Sequence, residues 1–196
     1  MHRRIAIKIS RSGLASFYPL LQEGIRLSVR GGSSVLDFLV SGIGLDHEEI
    51  EDKIRSVLIN GHPVDDPGST ILKEGDRLAL SASMPGLVGS TLIKGSPLAQ
   101  LRSAITYTVD KEGTKEEGEV FIEVRLFNLV MKDLAEGFLQ RGVVLSGERL
   151  RGILMALISS QNLKGISLQE RDVTFQEISQ YLDRDEELLL KVQVLG

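Results

Sequence analysis

Three histidines and two neighbouring aspartates are the side chains whose types could bind a metal ion or transfer protons. The histidines are His2, His47 and His62, and their scattered positions match no helical or hairpin metal-binding motif. Asp65 and Asp66 lie near His62, but Asp-Asp-Pro-Gly is typical of a turn. No Ser/His/Asp constellation can be assembled, and no glycine-rich phosphate loop precedes a helix. We therefore predict no catalytic residues, no metal site and no cofactor.

The composition excludes several classes of function. The 196 residues contain no cysteine, which excludes thiol catalysis, disulfides and cysteine-ligated zinc or iron–sulfur sites. The net charge is −4, and neither half of the chain is basic: residues 1–90 hold 10 basic and 11 acidic side chains, and residues 91–196 hold 13 and 16. Nucleic-acid binding usually needs a clear basic excess, so we do not expect it.

The N-terminal sequence and the apolar runs bear on location. Met1-His-Arg-Arg-Ile is basic but then alternates, so it does not resemble a signal peptide. No apolar stretch approaches the roughly 18–20 residues that span a bilayer. These features predict a soluble, cytoplasmic protein without a membrane segment.

The first 84 residues have the pattern of four strands and one helix. Apolar residues alternate with polar ones at Ile5–Ile9 and again at Ile25–Val29, which predicts two half-buried strands. Ser34 with Asp37 resembles a capping box that opens a helix. Strands are predicted at 56–60, which leads into the tight turn Asn60-Gly61, and at 76–82. The order is β-β-α-β-β, which suits a mixed sheet around one helix.

Four short segments in residues 25–89 resemble a known superfamily. They are Ser34-Val-Leu-Asp-Phe-Leu39; Val57-Leu-Ile-Asn-Gly61 with Pro63-Val64-Asp65; Gly75-Asp76-Arg77-Leu78-Ala79-Leu80; and Pro85 with Gly89. In this order and spacing they resemble the MoaD/ThiS sulfur carriers, which are ubiquitin-like β-grasp domains. The resemblance implies that residues 1–84 form a β-grasp domain.

The resemblance also implies a role for Gly89 as the sulfur-carrying residue of the tail. In these families the chain ends in a free Gly-Gly carboxylate, whereas here Val88 precedes Gly89 and the chain continues into Ser90. An activating enzyme adenylates a free carboxylate, so Gly89 would carry sulfur only after cleavage of the chain behind it.

The remainder of the chain predicts a second domain. Glycine, serine and proline are frequent in the crossover 85–97. Residues 98–196 predict a small α+β domain of unknown family. Its strands are expected at 104–110, 119–128 and 188–195, and its helices at 129–142, 150–158 and 174–183. The predicted fold class is therefore α+β, with two domains.

Two surfaces suggest partner docking. If the first two strands pair, the cations Arg4, Lys8, Arg26 and Arg30 share one outer sheet face and could bind an acidic partner. The segment 16–21 contains Phe17 and Tyr18, which either belong to the core or face a partner. A homodimer through the C-terminal sheet is a further alternative.

Three hypotheses for function follow. The preferred one is a non-enzymatic protein-interaction or adaptor protein built on a MoaD/ThiS-like β-grasp without a functional Gly-Gly tail. The first alternative is a sulfur-carrier precursor, processed after Gly89, in molybdopterin- or thiamin-type cofactor biosynthesis. The second alternative is a small-ligand-binding protein or an enzyme that uses a cleft between the domains.

Overall fold

The structure, a computed structural model, describes residues 2–82 and 118–196. It is a mixed α and β protein that divides into two compact units. The split unit combines residues 1–20 with 134–196, and the central unit consists of residues 21–133.

Ten strands and six α-helices form the described part of the chain. The strands are β1 (Arg3–Ser10), β2 (Ile25–Arg30), β3 (Ser56–Ile59), β4 (His62–Pro63), β5 (Arg77–Ser81), β6 (Glu119–Phe127), β7 (Val143–Ser146), β8 (Leu163–Leu168), β9 (Arg171–Asp172) and β10 (Glu187–Leu195). The α-helices are α1 (Tyr18–Glu23), α2 (Val35–Asp37), α3 (His47–Lys53), α4 (Asn128–Arg141), α5 (Gly147–Ser159) and α6 (Phe175–Ser179). Arg11–Phe17 is a 3₁₀-helix and Phe38–Ile43 a π-helix.

The sheet of the central unit has the order β4-β3-β5-β6-β2. Neighbouring strands are antiparallel except β5 and β6, which are parallel. The apolar residues predicted to be buried on β2 pair in register with apolar residues of β6, and all six are buried: Ile25 with Val124, Leu27 with Ile122, and Val29 with Val120. The alternation on β2 therefore marks the core-facing side correctly.

The helix of the central unit begins directly after Ser34, which caps it as predicted. The Asp37 N–H donates to Ser34 Oγ (3.0 Å), and the Asp37 carboxylate accepts from the Ser34 N–H (3.1 Å). This capping box satisfies backbone N–H groups that the first helical turn leaves unpaired. Val35 and Phe38 follow and are buried. The helix continues as the π-helix and ends at Gly44, whose φ of 88° is left-handed and suits glycine.

We expect Ser34→Ala to lower the free energy of unfolding by about 1–2 kcal/mol, because it removes this cap. The hydrogen bonds from the Ser34 side chain and backbone hold the pKa of Asp37 below its ordinary value of 3.8. These hydrogen bonds therefore stabilise the folded protein fully above about pH 4, and their contribution is lost as the pH falls through the lowered pKa of Asp37. The difference in stability between variant and natural chain should shrink as the pH is lowered.

Urea unfolding at about pH 7 and at stepwise lower pH measures both effects. Ser41→Ala, at an exposed position of the adjoining π-helix, is the control and should change stability by less than about 0.5 kcal/mol. A deficit for Ser34→Ala that is the same at every pH would contradict the proposed role of Asp37.

The predicted Asn60-Gly61 turn joins β3 to β4 as a two-residue hairpin loop. Both residues have positive φ (53° and 85°), as a type I′ turn requires. Asn60 Nδ2 donates to Asp76 Oδ1 (2.8 Å), and Asn60 Oδ1 accepts from the Arg77 N–H (3.0 Å). The turn is thus fixed to the start of β5.

The sheet of the split unit has the order β7-β10-β1-β8-β9. Here β1 and β10 are parallel, and the other neighbours are antiparallel. Ile5 and Ile7 pair with Leu190 and Val192, and all four are at most 2% exposed. From β9 to β7, the four neighbouring pairs are antiparallel, antiparallel, parallel and antiparallel. The four pairs of the central unit, from β4 to β2, follow the same succession.

Helices of the split unit supply the apolar residues that cover one side of its sheet. Helix α5 contacts β7, β8 and the 3₁₀-helix. Its residues Leu150, Ile153, Leu154 and Leu157 are buried, whereas Ile158 is exposed. Within the 3₁₀-helix, Leu14 and Phe17 are buried too. On β1, by contrast, Arg4, Ala6 and Lys8 alternate with the buried isoleucines and are exposed. This side of β1 is therefore open to solvent.

Strand β1 does not pair with β2. Its neighbours are β10 and β8, whereas β2 pairs with β6. The two units consequently divide the chain differently from the boundaries predicted at residues 84 and 98. The reason is physical: alternation identifies a strand and its buried face, but the partner of a strand is set by contacts distant in sequence.

Candidate interaction surface

The four cations predicted to share one sheet face lie in two different units. Arg4 and Lys8 are on β1 of the split unit, and Arg26 and Arg30 are on β2 of the central unit. The hypothesis that pairing of β1 with β2 assembles them is wrong, because these strands have other partners.

The predicted aromatic docking segment is mostly part of the core. Phe17 is fully buried, with 0% of its surface exposed, and it ends the 3₁₀-helix. Tyr18, the first residue of α1, is half-buried. Phe17 therefore belongs to the core, one of the two predicted alternatives, and it presents no surface to a partner.

Gly89 and the crossover 85–97 lie outside the described residues, as does the strand predicted at 104–110. The role that the resemblance implies for Gly89 stays a prediction.

The open side of the split unit carries three cations, Arg4, Lys8 and Lys191, which we call the basic face. In the register of the parallel pair β1–β10, Lys191 lies beside Ala6, halfway between Arg4 and Lys8. All four residues are exposed. Arg4 and Lys8 lie on β1 and Lys191 on the adjacent β10, so the basic face spans two inner strands of the split unit.

Gly165 on β8 and Gly142, which immediately precedes β7, lie beside the two lysine side chains. A Cβ built on Gly165 would be 3.7 Å from Lys8 Cδ, and one built on Gly142 would be 3.3 Å from Lys191 Cγ. The aliphatic part of each lysine side chain therefore lies over a glycine, at a position where a larger residue would have a side chain. The ammonium groups stay in water. Both lysines remain accessible to a partner.

None of the three cations of the basic face makes an ion pair or side-chain hydrogen bond within the described ranges 2–82 and 118–196. Arg3, their neighbour on the other side of β1, differs: it pairs with Glu186 at 3.2 Å and lies 5.7 Å from the Tyr181 ring centroid. The charges of the basic face are therefore not compensated by the part of the protein that the structure describes.

Arg26 of the central unit has a ring partner instead. The guanidinium of Arg26 lies 4.6 Å from the centroid of the Phe121 ring, a cation–π contact. Arg26 is opposite Glu123 in the β2–β6 register, and Arg30 is opposite Glu119. These pairings resemble the cross-strand charge pairs that stabilise sheets. We assign Arg26 to a structural role. Arg30 is exposed and makes no ion pair or side-chain hydrogen bond within residues 2–82 and 118–196.

Acidic residues are concentrated on helix α3. Glu49 accepts from Lys53 Nζ at 2.6 Å, which lowers the pKa of Glu49 and raises that of Lys53. Glu48, Glu51 and Asp52 are exposed. A groove of about 490 Å³ is lined by this helix and its flanks, including Lys53 and Arg55. Its lining of exposed charges of both signs is that of a solvated surface.

Residue types for metal binding are dispersed in the described part of the chain. No group of three or more His, Asp or Glu side chains there could hold a metal ion. His2, His47 and His62 lie on β1's N-terminal flank, on α3 and on β4.

Sequence reasoning missed Lys191 as a member of the basic face. The alternation Leu190-Lys191-Val192-Gln193 places Lys191 on the outward side of the last strand. The missing information was the pairing of that strand with β1, which no local pattern contains.

Among the described residues, no helix combines the length and the apolar character needed to cross a membrane. No family model matches the chain, and no curated protein or solved structure is significantly similar to it.

Proposed function

We propose that the protein is a non-enzymatic interaction module that docks an acidic protein partner on the basic face of the split unit. The observation that carries this proposal is the group of three exposed, uncompensated cations on the adjacent strands β1 and β10. Complementary charge across an interface gives specificity and speeds association. A protein with an overall charge of −4 gains a local attraction for acidic surfaces there.

An acidic protein fits the basic face better than a nucleic acid does. Proteins that bind single-stranded nucleic acids stack bases on aromatic side chains. The positions between and beside the cations are instead Ala6, Gly165, Ser167 and Gln193, which offer no ring. The net negative charge also repels a polyanion at long range.

We further propose that the central unit is a β-grasp with the first strand taken from later in the chain. In a β-grasp of the ubiquitin type, the first and last strands are parallel neighbours and the helix follows the second strand. Support comes from β6, which lies parallel to β5 and antiparallel to β2, and from the helix that follows β2. Cleavage after Gly89 would cut the connection between β5 and β6, which disfavours the sulfur-carrier alternative.

A photo-crosslinking residue at Ala6 tests the docking proposal in living source cells. We expect adducts whose crosslinked peptides, identified by mass spectrometry, are acidic. The same probe in a Lys8→Glu/Lys191→Glu chain should give at least about tenfold less adduct, because two attractive charges become repulsive. A probe at Gln176, exposed on α6, is the position control.

Two results would refute the proposal. One is an adduct that forms equally in the charge-reversed chain, provided that its thermal unfolding shows the fold intact. The other is a set of crosslinked peptides without an acidic excess.

A further inference from the structure

The chain itself contains an acidic surface that complements the basic face. Helix α3 has four acidic residues in the five positions 48–52. Glu49 is engaged by Lys53, and Asp52 is 3.9 Å from Arg55. Glu48 and Glu51 are exposed and have no ion pair or side-chain hydrogen bond within residues 2–82 and 118–196. They are three positions apart and thus share one side of the helix.

The spacing of these carboxylates suits the spacing of the cations. Glu48 and Glu51 are separated by about 4.5 Å along the helix axis, at 1.5 Å per residue. Lys191 is one strand away and two residues along from Lys8, which separates their Cα atoms by roughly 8 Å. Long lysine side chains can close the difference, so one turn of α3 can engage two cations at once.

We propose that helix α3 of a second copy of this chain binds the basic face. The inference rests on the proposed function and names its partner. The two complementary surfaces are different parts of the molecule, so a copy can offer its α3 to one neighbour and its basic face to another, or exchange both with a single neighbour. The first arrangement builds rings where the rotation closes and open chains where it does not, and the second builds a two-fold dimer.

Self-association through these charges must depend on salt. We expect sedimentation velocity to show concentration-dependent association at an ionic strength of about 0.02 M, and the association should weaken at least tenfold at about 0.5 M, where the Debye length falls from roughly 20 Å to about 4 Å.

Charge exchange between the two surfaces gives the sharpest test. Lys8→Glu/Lys191→Glu has two acidic surfaces, and Glu48→Lys/Glu51→Lys has two basic ones, so each alone should remain monomeric. Mixed together, they should associate again, because each surface of one variant meets its opposite on the other. Lys132→Glu, a reversal at an exposed site on α4, is the matched control and should associate like the natural chain.

The outcomes separate this inference from the proposed function. A natural chain that stays monomeric at low salt overturns the second copy as partner, and acidic adducts at Ala6 would then still support an acidic partner of another kind. If Lys8→Glu/Lys191→Glu abolishes the association but Glu48→Lys/Glu51→Lys leaves it intact, the role of α3 is overturned. Association that neither variant changes overturns the role of the basic face.

Discussion

A fragment that ends at residue 84 will show no cooperative unfolding transition in urea. It contains β1 without its neighbours β10 and β8, and it contains β5 and β2 without the strand that lies between them. Strand β6 buries four apolar side chains: Val120, Ile122, Val124 and Leu126. At about 1.5–3 kcal/mol each, their loss removes roughly 6–12 kcal/mol, comparable to the whole stability of a typical domain.

The fragment 21–133 is the matched comparison, because it keeps β2 to β6 together. We expect it to retain a cooperative transition by circular dichroism, at a lower urea midpoint than the full chain. A sharp transition in the fragment 1–84 would refute the strand order described for the central unit.

Gly147→Ala will destabilise the protein by about 3 kcal/mol or more. Gly147 is the first residue of α5, and its N–H donates to the Glu186 carbonyl at 3.0 Å. A Cβ added there would lie 2.2 Å from the Asp183 carbonyl oxygen, which is a backbone atom. The segment that begins at Asp183 would have to move away from the helix, and crowding of this kind is costly in packed regions.

Gly152→Ala in the same helix is the control, since nothing lies within 4 Å of a Cβ built there. It should stabilise the protein by about 0.5–1 kcal/mol, because alanine is the better helix former. Urea midpoints of both variants, with unchanged m-values, measure the two effects. Equal midpoints for the two variants would show that the segment 183–186 moves away from residue 147 without a loss of stability.

The elements that sequence reasoning placed correctly are those fixed by neighbours in the chain. The capping box predicted at Ser34 is present, because a cap needs only residues three positions apart, and a second one at Thr174 opens the last predicted helix. The helix after Thr174 is shorter than predicted and ends at Ser179. Here the local signal fixed the start of the helix but not its end.

Several elements were missed, two of them for identifiable reasons. Strand β7 is the short run Val143-Val-Leu-Ser146, and its length and continuous apolar character hide the alternation that marks a strand. Helix α1 lies between the first two predicted strands, where no helix was predicted. Its Pro19 could have indicated a helix start, since proline is tolerated in the first turn.

Two of the three cations of the basic face could be predicted from the sequence. Arg4 and Lys8 were selected because they alternate with buried isoleucines, and that inference of outward orientation is confirmed by their exposure. Their association with Lys191 required the parallel pairing of β1 and β10, whose partners are about 185 positions apart. Neither periodicity nor turn chemistry carries information over that distance.

The pairing of β1 with β10 also sets the order of events during synthesis. Arg3 leaves the ribosome long before its partner Leu188 has been made. At about 5–20 residues per second, the nascent chain holds an apolar first strand for roughly 10–40 s before that neighbour exists. The central unit, which is complete at residue 133, can form in the meantime. Chaperones that bind nascent chains should therefore engage residues 3–10 selectively, until translation supplies the strand that buries them.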